Sequence, residues 1–187
     1  MQGQSSVESV AFSDYLTKAK QSNKEYVQEL VTLLRVQGMT LSVIESMTGG
    51  GILRKLIESP GASAFLLGGV VAYDTRLKVQ LGRVQPKTIA THGVVSHHVT
   101  EEMAKGIKTV TQSDISIATN GIAGPASEQY SADQSGTFFV SWNIRDKIIK
   151  TKRYKVEGGR NDVIDTAVYI ALSMCLNDLK NNVRKDN

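Results

Sequence analysis

Cysteine is nearly absent from this chain of 187 residues, since Cys175 is the only one. A single thiol excludes a disulfide framework within the chain, the usual stabilising device of small secreted domains. The first fifteen residues also lack a basic start followed by an apolar run, so no secretory signal peptide is visible. Together these absences favour a cytoplasmic protein.

Long apolar runs and aromatic clusters are missing as well. No stretch approaches the roughly 20 apolar residues that a membrane-spanning helix needs, so the sequence predicts no membrane partner. Aromatic residues make up only 6% of the chain, and the basic excess is partly gathered at the C-terminus, in Lys180, Arg184 and Lys185. Proteins that bind nucleic acids cluster basic residues on one face and stack bases on aromatic side chains. The sequence therefore predicts no nucleic-acid partner.

Metal-ligand motifs are a third absence. The chain has no H-x-x-x-H or C-x-x-C spacing and no acidic cluster with ligand spacing. Glu101 and Glu102 are adjacent on a predicted helix, where neighbouring side chains point in different directions. We expect no metal and no other cofactor.

The chain does contain a regular alternation of β-forming apolar runs with helical patterns. Its length suits one domain with a sizeable core. The patterns predict strands at residues 39–45, 68–73, 115–119, 137–143 and 148–154, and helices at 24–36, 52–57, 97–109 and 161–179. This alternation predicts an α/β fold, a three-layer α/β/α sandwich around one mixed sheet.

A glycine-rich segment, residues 45–51, follows the first predicted strand and precedes a helix. Glycines there let the backbone approach a ligand, and the helix N-terminus binds anions or stabilises a developing oxyanion. Ser46 and Thr48 add hydroxyls at the same turn. The spacing is neither that of a P-loop nor that of a dinucleotide-binding loop. It leaves two interpretations open, a ligand-binding loop and a plain turn capped by hydroxyls.

A nucleophilic hydroxyl needs a base, and two kinds of residue are candidates. The three histidines, His92, His97 and His98, lie near a predicted turn and helix start, where a surface or capping role is typical. No G-x-S-x-G elbow supports a serine–histidine hydrolase. A lysine whose pKa is lowered by burial is the other known route. Lys78 follows a predicted buried strand, although composition alone favours a solvated charge for any one lysine.

A second turn-rich loop, residues 119–125, follows the third predicted strand. In α/β folds, sites form in the crevice at the carboxyl ends of strands. We therefore expect both glycine-rich loops to face one site.

At these residues the sequence resembles the C-terminal domain of CinA-type proteins, the nicotinamide-nucleotide amidase family. The family's A-E-S-C-T-G-G segment is similar to residues 44–50, and its T-G-I-A-G-P signature to residues 120–125. Further matches follow in the family's order at residues 60–63, 68–78, 93–96, 136–138 and 158–160. Each motif is weak by itself, but the ordered set spans residues 25–180 and is strong evidence of membership.

The resemblance implies a fold, a reaction and a domain boundary. It implies an α/β/α sandwich and an amidase domain over residues 25–182, with residues 1–24 as a partly disordered helical extension. Members hydrolyse the carboxamide of nicotinamide mononucleotide to nicotinate mononucleotide and ammonia, a step of NAD salvage in the pyridine nucleotide cycle. The expected partner is thus a small nucleotide substrate.

The resemblance also implies roles for particular residues. Ser46 corresponds to the nucleophile and Lys78 to its general base, with Tyr73 and Thr48 as auxiliary hydrogen-bonding groups. A carboxamide also needs an oxyanion hole, which the amides of Gly49 and Gly50 are expected to supply. The other expected substrate-binding residues are Asn120, Gly121, Ala123, Gly124 and Arg160. The phosphate is expected to sit against backbone amides of residues 121–124 or against a basic side chain such as Arg160.

The sequence departs from the family at several positions. Met47 stands where the family has cysteine and Asn120 where it has threonine, and residues 126–135 lack the family's glycines and proline. The altered loop would reshape one wall of the pocket. Two hypotheses therefore remain open, an amidase and a catalytically silent member that binds a nucleotide or a partner protein. Glycine-rich strands and an apolar final helix are compatible with a homo-oligomer without requiring one.

Overall fold

The computed structural model describes residues 25–124 and 134–183 of the chain. The predicted N-terminal extension, residues 1–24, and most of the altered loop, residues 126–133, lie outside these described residues. Within them the elements are, in chain order, α1 (25–36), β1 (Leu41–Glu45), α2 (Gly51–Ile57), a short 3₁₀ turn (Ala62–Ala64), β2 (Leu66–Val71), α3 (Thr75–Gln80), α4 (Pro86–His92), α5 (His97–Thr111), β3 (Ile115–Gly121), β4 (Thr137–Ile144), β5 (Ile148–Lys155) and α6 (Arg160–Val183).

The five strands form one mixed sheet in the order β2-β1-β3-β4-β5. Strands β2, β1 and β3 run parallel, whereas β4 and β5 are antiparallel additions on one side. The five predicted strands are therefore confirmed. Helices α3 and α4 were not predicted, because six or seven residues are too few to show a helical period clearly.

Helices cover both faces of the sheet, as the alternation predicted. Successive residues of a strand point to opposite faces, and this places Val43 in one apolar core and Ile44 in another. The larger core lies between the sheet and helices α1, α2 and α6. The smaller core lies between the sheet and α5, with Leu77 of α3 and Ile89 of α4 packed against it. The result is a three-layer, single-domain α/β/α sandwich.

No helix among the described residues is long and apolar enough to cross a lipid bilayer.

At Gly106, helix α5 packs closely against the backbone of the turn that follows α3. The absence of a side chain at this position is a packing requirement. A Cβ atom at Gly106 would lie 1.8 Å from the carbonyl oxygen of Gly82, which is backbone and cannot rotate away. We expect Gly106→Ala to lower the free energy of unfolding by about 2–3 kcal/mol, since overpacking forces α5 away from the turn that follows α3. Urea unfolding measures this, with Lys105→Ala on the exposed side of the same helix as the control. Equal stability of the two variants would contradict the close approach.

Candidate active site

Three parallel strands bring their carboxyl ends to one edge of the sheet. In the strand register, Glu45 at the end of β1 lies beside Val71 of β2 and Thr119 of β3. The segments that leave these strands therefore meet, and sites in α/β folds form at such an edge. Residues of both glycine-rich loops, which were expected to face one site, line the same cavity.

This cavity has a volume of about 490 Å³, which lies in the range of small-molecule sites. The predicted site residues that line it are Ser46, Tyr73, Lys78, Asn120, Gly121, Ala123, Gly124 and Arg160. The structure adds lining residues that were not predicted, namely Met47, Asp74, Thr75, Val94, Val95 and Ile122. Of these, the two valines belong to the loop before α5, and their apolar side chains gave no sign of a site in the sequence.

Ser46 lies in the turn between β1 and α2, with only 6% of its surface exposed. Its N–H donates to the carbonyl oxygen of Thr119 at 3.0 Å, which ties the turn to β3. Its Oγ lies 2.9 Å from Nζ of Lys78. That distance is within the reach of direct proton transfer. The hydroxyl is thus held at the cavity with a basic group beside it.

Lys78 is buried in α3, a helix whose first turn is capped by the side chain of Asp74. Besides Ser46, its Nζ contacts the carbonyl oxygens of Ala72 at 2.6 Å and Tyr73 at 3.2 Å. Burial lowers the pKa of Lys78 to about 8, although the Asp74 carboxylate works in the opposite direction. Burial is the larger effect because it penalises the charged ammonium. A substantial fraction of the Lys78 side chain is therefore uncharged near neutral pH.

Glu45 is a fully buried carboxylate beside this pair, and the sequence reasoning did not single it out. Its Oε2 accepts hydrogen bonds from the amides of Gly50 at 3.0 Å and Ile52 at 3.2 Å, and its Oε1 from Leu53 at 2.9 Å. These amides open α2 and would otherwise lack partners, and a negative charge is favourable at a helix N-terminus. The sequence signal was a carboxylate ending an otherwise apolar strand.

The oxyanion hole predicted from Gly49 and Gly50 needs correction. The amide of Gly50 donates to Glu45, and that of Gly49 donates to the carbonyl oxygen of Ser46 at 3.2 Å. Neither glycine lines the cavity, because the Glu45 carboxylate occupies the helix end that a substrate oxygen was expected to use. By contrast, the amides of Met47 and Thr48 make no hydrogen bond with any residue that the structure describes.

The side chain of Thr48 is also placed differently from the prediction. It is 4% exposed, and its hydroxyl lies 2.6 Å from the hydroxyl of Thr119 on β3. Thr48 does not line the cavity. Its hydroxyl therefore joins the Ser46 turn to the neighbouring strand, because the buried Thr119 hydroxyl is the nearest partner for it.

Tyr73 and Arg160 stand together at the cavity. Tyr73 is 65% exposed, and a terminal nitrogen of the exposed Arg160 donates to its hydroxyl at 3.4 Å. Gly124 makes room for this arginine, since a Cβ there would come within 2.8 Å of the guanidinium. The aromatic ring of Tyr73 and the guanidinium of Arg160 thus lie side by side on the cavity wall.

The two departures from the family that fall on described residues both have packing roles. The side-chain amide of Asn120 donates from Nδ2 to the carbonyl oxygen of Val94 at 2.7 Å, so it joins the end of β3 to the loop before α5. Met47 is buried, and a Cβ at Gly121 would lie 2.7 Å from its sulfur. Both residues shape the cavity wall.

The histidines do not belong to this cavity. His92 and His98 stack with their rings 3.7 Å apart, and His92 and His97 line a second cavity on the far side of the Val94–Val95 loop. Lys78 is thus the basic side chain within reach of Ser46. In the described parts of the chain, no group of three histidine, cysteine or acidic side chains is placed to hold a metal ion.

Comparison with known proteins points to one family. The model of the CinA C-terminal domain matches residues 23–179. A CinA-like protein of Thermotoga neapolitana is 36% identical over 163 residues, which cover 87% of this chain and 39% of that protein. The nicotinamide-nucleotide amidohydrolase PncC of Shewanella oneidensis is 45% identical over 98 residues, or 52% of this chain and 23% of that protein. The chain thus spans about two fifths or less of these curated relatives.

Solved structures agree with the fold. A CinA superfamily protein from Klebsiella pneumoniae superposes with a TM-score of 0.80 at 31% identity, covering 86% of this chain and 99% of that one. A competence or damage-inducible protein from Enterobacter asburiae gives a TM-score of 0.79 at 32% identity, covering 84% and 98%. With the family model matching most of the described residues, the chain belongs to the CinA C-terminal domain family.

Proposed function

We propose that this chain is an amidohydrolase that converts nicotinamide mononucleotide to nicotinate mononucleotide and ammonia. The observation that carries the proposal is the buried hydrogen bond between Lys78 Nζ and Ser46 Oγ, 2.9 Å long, at the floor of a cavity of substrate size. The Shewanella oneidensis relative bears the name of this activity, and that name supplies the substrate in the proposal.

The partners of Lys78 orient it as a base. A neutral amine has two N–H donors and one lone pair. The carbonyl oxygens of Ala72 and Tyr73 accept the two N–H groups. The lone pair is then left for the hydroxyl proton of Ser46, which is the third neighbour. Because α3, the segment after β2 and the turn between β1 and α2 hold these groups, the pair is organised before substrate binds.

The reaction then proceeds in two acyl-transfer steps. Ser46 Oγ attacks the carboxamide carbon while Lys78 takes the hydroxyl proton. The resulting ammonium of Lys78 protonates the leaving nitrogen, the C–N bond breaks and ammonia departs, leaving an ester on Ser46. A water molecule attacks that ester with Lys78 again as the base. The ester C–O bond breaks, the proton returns to Ser46, and the carboxylic acid product leaves.

The tetrahedral intermediate needs donors for its oxyanion, worth about 3–4 kcal/mol each in related chemistry. We assign this role to the amides of Met47 and Thr48, which follow the nucleophile directly and are unpaired among the described residues. Their position resembles that of the amide after the nucleophile in other serine hydrolases. This assignment replaces Gly49 and Gly50.

The rest of the cavity suits a charged aromatic nucleotide. The nicotinamide ring of the mononucleotide is a cationic pyridinium, which is attracted by an aromatic face and by a carboxylate. Tyr73 and Asp74 provide these on one wall, while Arg160 places a positive charge nearby for an anionic group. Both charges of the substrate therefore meet complementary side chains.

Ammonia release from nicotinamide mononucleotide, measured across pH, tests the proposal. We expect kcat/KM to rise along a single ionisation near pH 8, the pKa to which burial lowers Lys78. The neutral form of Lys78 is the base, so the rate increases about tenfold per unit well below this pH and levels off above it. Ser46→Ala protein is the control and should release no ammonia above background.

Two outcomes would contradict the proposal in different ways. A folded wild-type protein that binds the mononucleotide but releases no ammonia at any pH would support the silent, nucleotide-binding alternative. Turnover with a flat profile between pH 6 and 9 would leave the amidase but remove Lys78 as its base.

A further inference from the structure

A second cavity of about 440 Å³ adjoins the first. The two share a wall made by Val94, Val95 and Ile122. The second cavity lies over the α5 face of the antiparallel strands β4 and β5, beside the N-terminus of α5. Nothing in the proposed amidase mechanism uses it.

Arg153 is the charged side chain of this cavity, and it has no partner among the described residues. It lies on β5 directly opposite Phe139 of β4. It is half-buried, and it makes no hydrogen bond or ion pair with any of them. Its Nε is completely buried and has no hydrogen-bond partner in the part of the chain that the structure describes. A buried polar group without a partner is costly, and more so when it carries charge. A guanidinium in this state is suited to an anion supplied from outside.

Thr137 provides a second, independent sign of a missing ligand. It is 6% exposed and lines the same cavity, and its Oγ1 is buried without a hydrogen-bond partner among the described residues. A threonine hydroxyl donates one hydrogen bond and commonly contacts phosphate oxygens. Both orphaned groups, the guanidinium and the hydroxyl, therefore lie at one place.

The N-terminus of α5 adds hydrogen-bond donors that also attract an anion. Ser96 and His97 line the cavity, and the side chain of Ser96 already caps the amide of Val99. The amides of His97 and His98 make no hydrogen bond with the described residues. In a helix of 15 residues these first amides carry the positive end of the helix dipole. Helix N-termini with unpaired amides bind anions.

No carboxylate is found among the described residues that line this cavity. The groups present that can donate are a guanidinium, hydroxyls, the carboxamide of Gln134, imidazole rings and helix amides. A planar guanidinium matches the oxygens of a phosphate in a two-point contact. We propose that the second cavity binds the phosphate group of a small molecule through Arg153 and Thr137, assisted by the first amides of α5.

Two sources of this phosphate are chemically equivalent. The first is the phosphate of the amidase substrate itself, reaching past Ile122 and Val94 from the neighbouring cavity. The second is a separate phosphorylated molecule that occupies the second cavity alone. Only the first source rests on the proposed function.

Titration calorimetry with inorganic phosphate at low ionic strength tests the site without any turnover. We expect Arg153→Gln to weaken phosphate binding about tenfold or more, as for loss of a charge-assisted hydrogen bond. Thr137→Val, which keeps nearly the same shape, should weaken it several-fold. Lys147→Gln on the exposed β4–β5 turn is the control, because it also removes one positive charge. This control should bind phosphate like wild type, and thermal melting checks folding throughout.

Several results would overturn the site. These are no phosphate binding by wild-type protein at millimolar concentration, equal binding by wild type and Arg153→Gln, or an equal loss of binding in Lys147→Gln. The source is then decided by binding of nicotinamide mononucleotide and of its riboside, which lacks the phosphate, to Ser46→Ala protein. If the phosphate belongs to the substrate, adding Arg153→Gln to the Ser46→Ala protein should weaken binding of the mononucleotide by about tenfold and leave binding of the riboside unchanged. Unchanged affinity for both, with phosphate binding still lost, identifies a separate phosphorylated ligand.

Discussion

Replacement of Ser46 by alanine is expected to lower kcat for ammonia release by about three orders of magnitude or more, because it removes the atom that attacks the carboxamide. Lys78→Met should be comparably damaging, since it keeps the buried stem but removes the base. Lys78→Arg should be nearly as damaging, because arginine keeps the charge and cannot give up its proton. The double variant Ser46→Ala with Lys78→Met should lose little more than either alone, because the two side chains act as a unit.

The controls separate chemistry from folding. Lys87→Arg makes the same substitution at an exposed position of α4 and should leave kcat unchanged. Circular dichroism and thermal melting establish that each variant is folded, which matters for Lys78 because its side chain is buried. Near-wild-type turnover by folded Lys78→Arg would show that the lysine provides only electrostatic contact. Additive losses in the double variant would show that Ser46 and Lys78 act in separate steps.

A loss of stability of about 3–5 kcal/mol is expected for Glu45→Ala. The substitution strands the three amides that now donate to this carboxylate, those of Gly50, Ile52 and Leu53. Each buried donor left without a partner costs about 1–3 kcal/mol, offset in part by water that enters the space. The turn that holds Ser46 lies between Glu45 and these amides, so ammonia release should fall together with the free energy of unfolding. Urea unfolding and kcat are the two measurements.

The two ends of α2 offer a matched pair for this experiment. Glu58 follows the helix at its other end and is exposed, with only surface ion pairs to Arg54 and Lys55. Glu58→Ala should therefore change stability little. Glu45→Gln keeps the shape and one acceptor oxygen, so it should fall between wild type and Glu45→Ala. If Glu45→Ala were as stable as Glu58→Ala, the carboxylate would not be what organises the turn.

The amino-acid sequence determined the features that depend on neighbouring residues. Apolar runs of β-forming residues predicted all five strands, because the period of a strand is visible within five to eight positions. Ser96 directly precedes α5, and its Oγ accepts a hydrogen bond from the amide of Val99 in the first turn. A serine three residues before a free amide makes that bond in almost any fold. The ordered motifs likewise indicated the family, which the match over residues 23–179 confirms.

The tertiary structure alone decided which groups are paired and which are free. Ser46 and Lys78 meet because β1 and β2 are parallel in the observed register, a long-range pairing that no local pattern records. The amides of Gly49 and Gly50 had appeared available, yet competing acceptors satisfy them, Glu45 being one. Arg153 resembled any surface charge until β4, β5 and α5 enclosed it with no partner among the described residues. A hydrogen bond depends on every group that competes for its donor, and only the folded chain brings those competitors together.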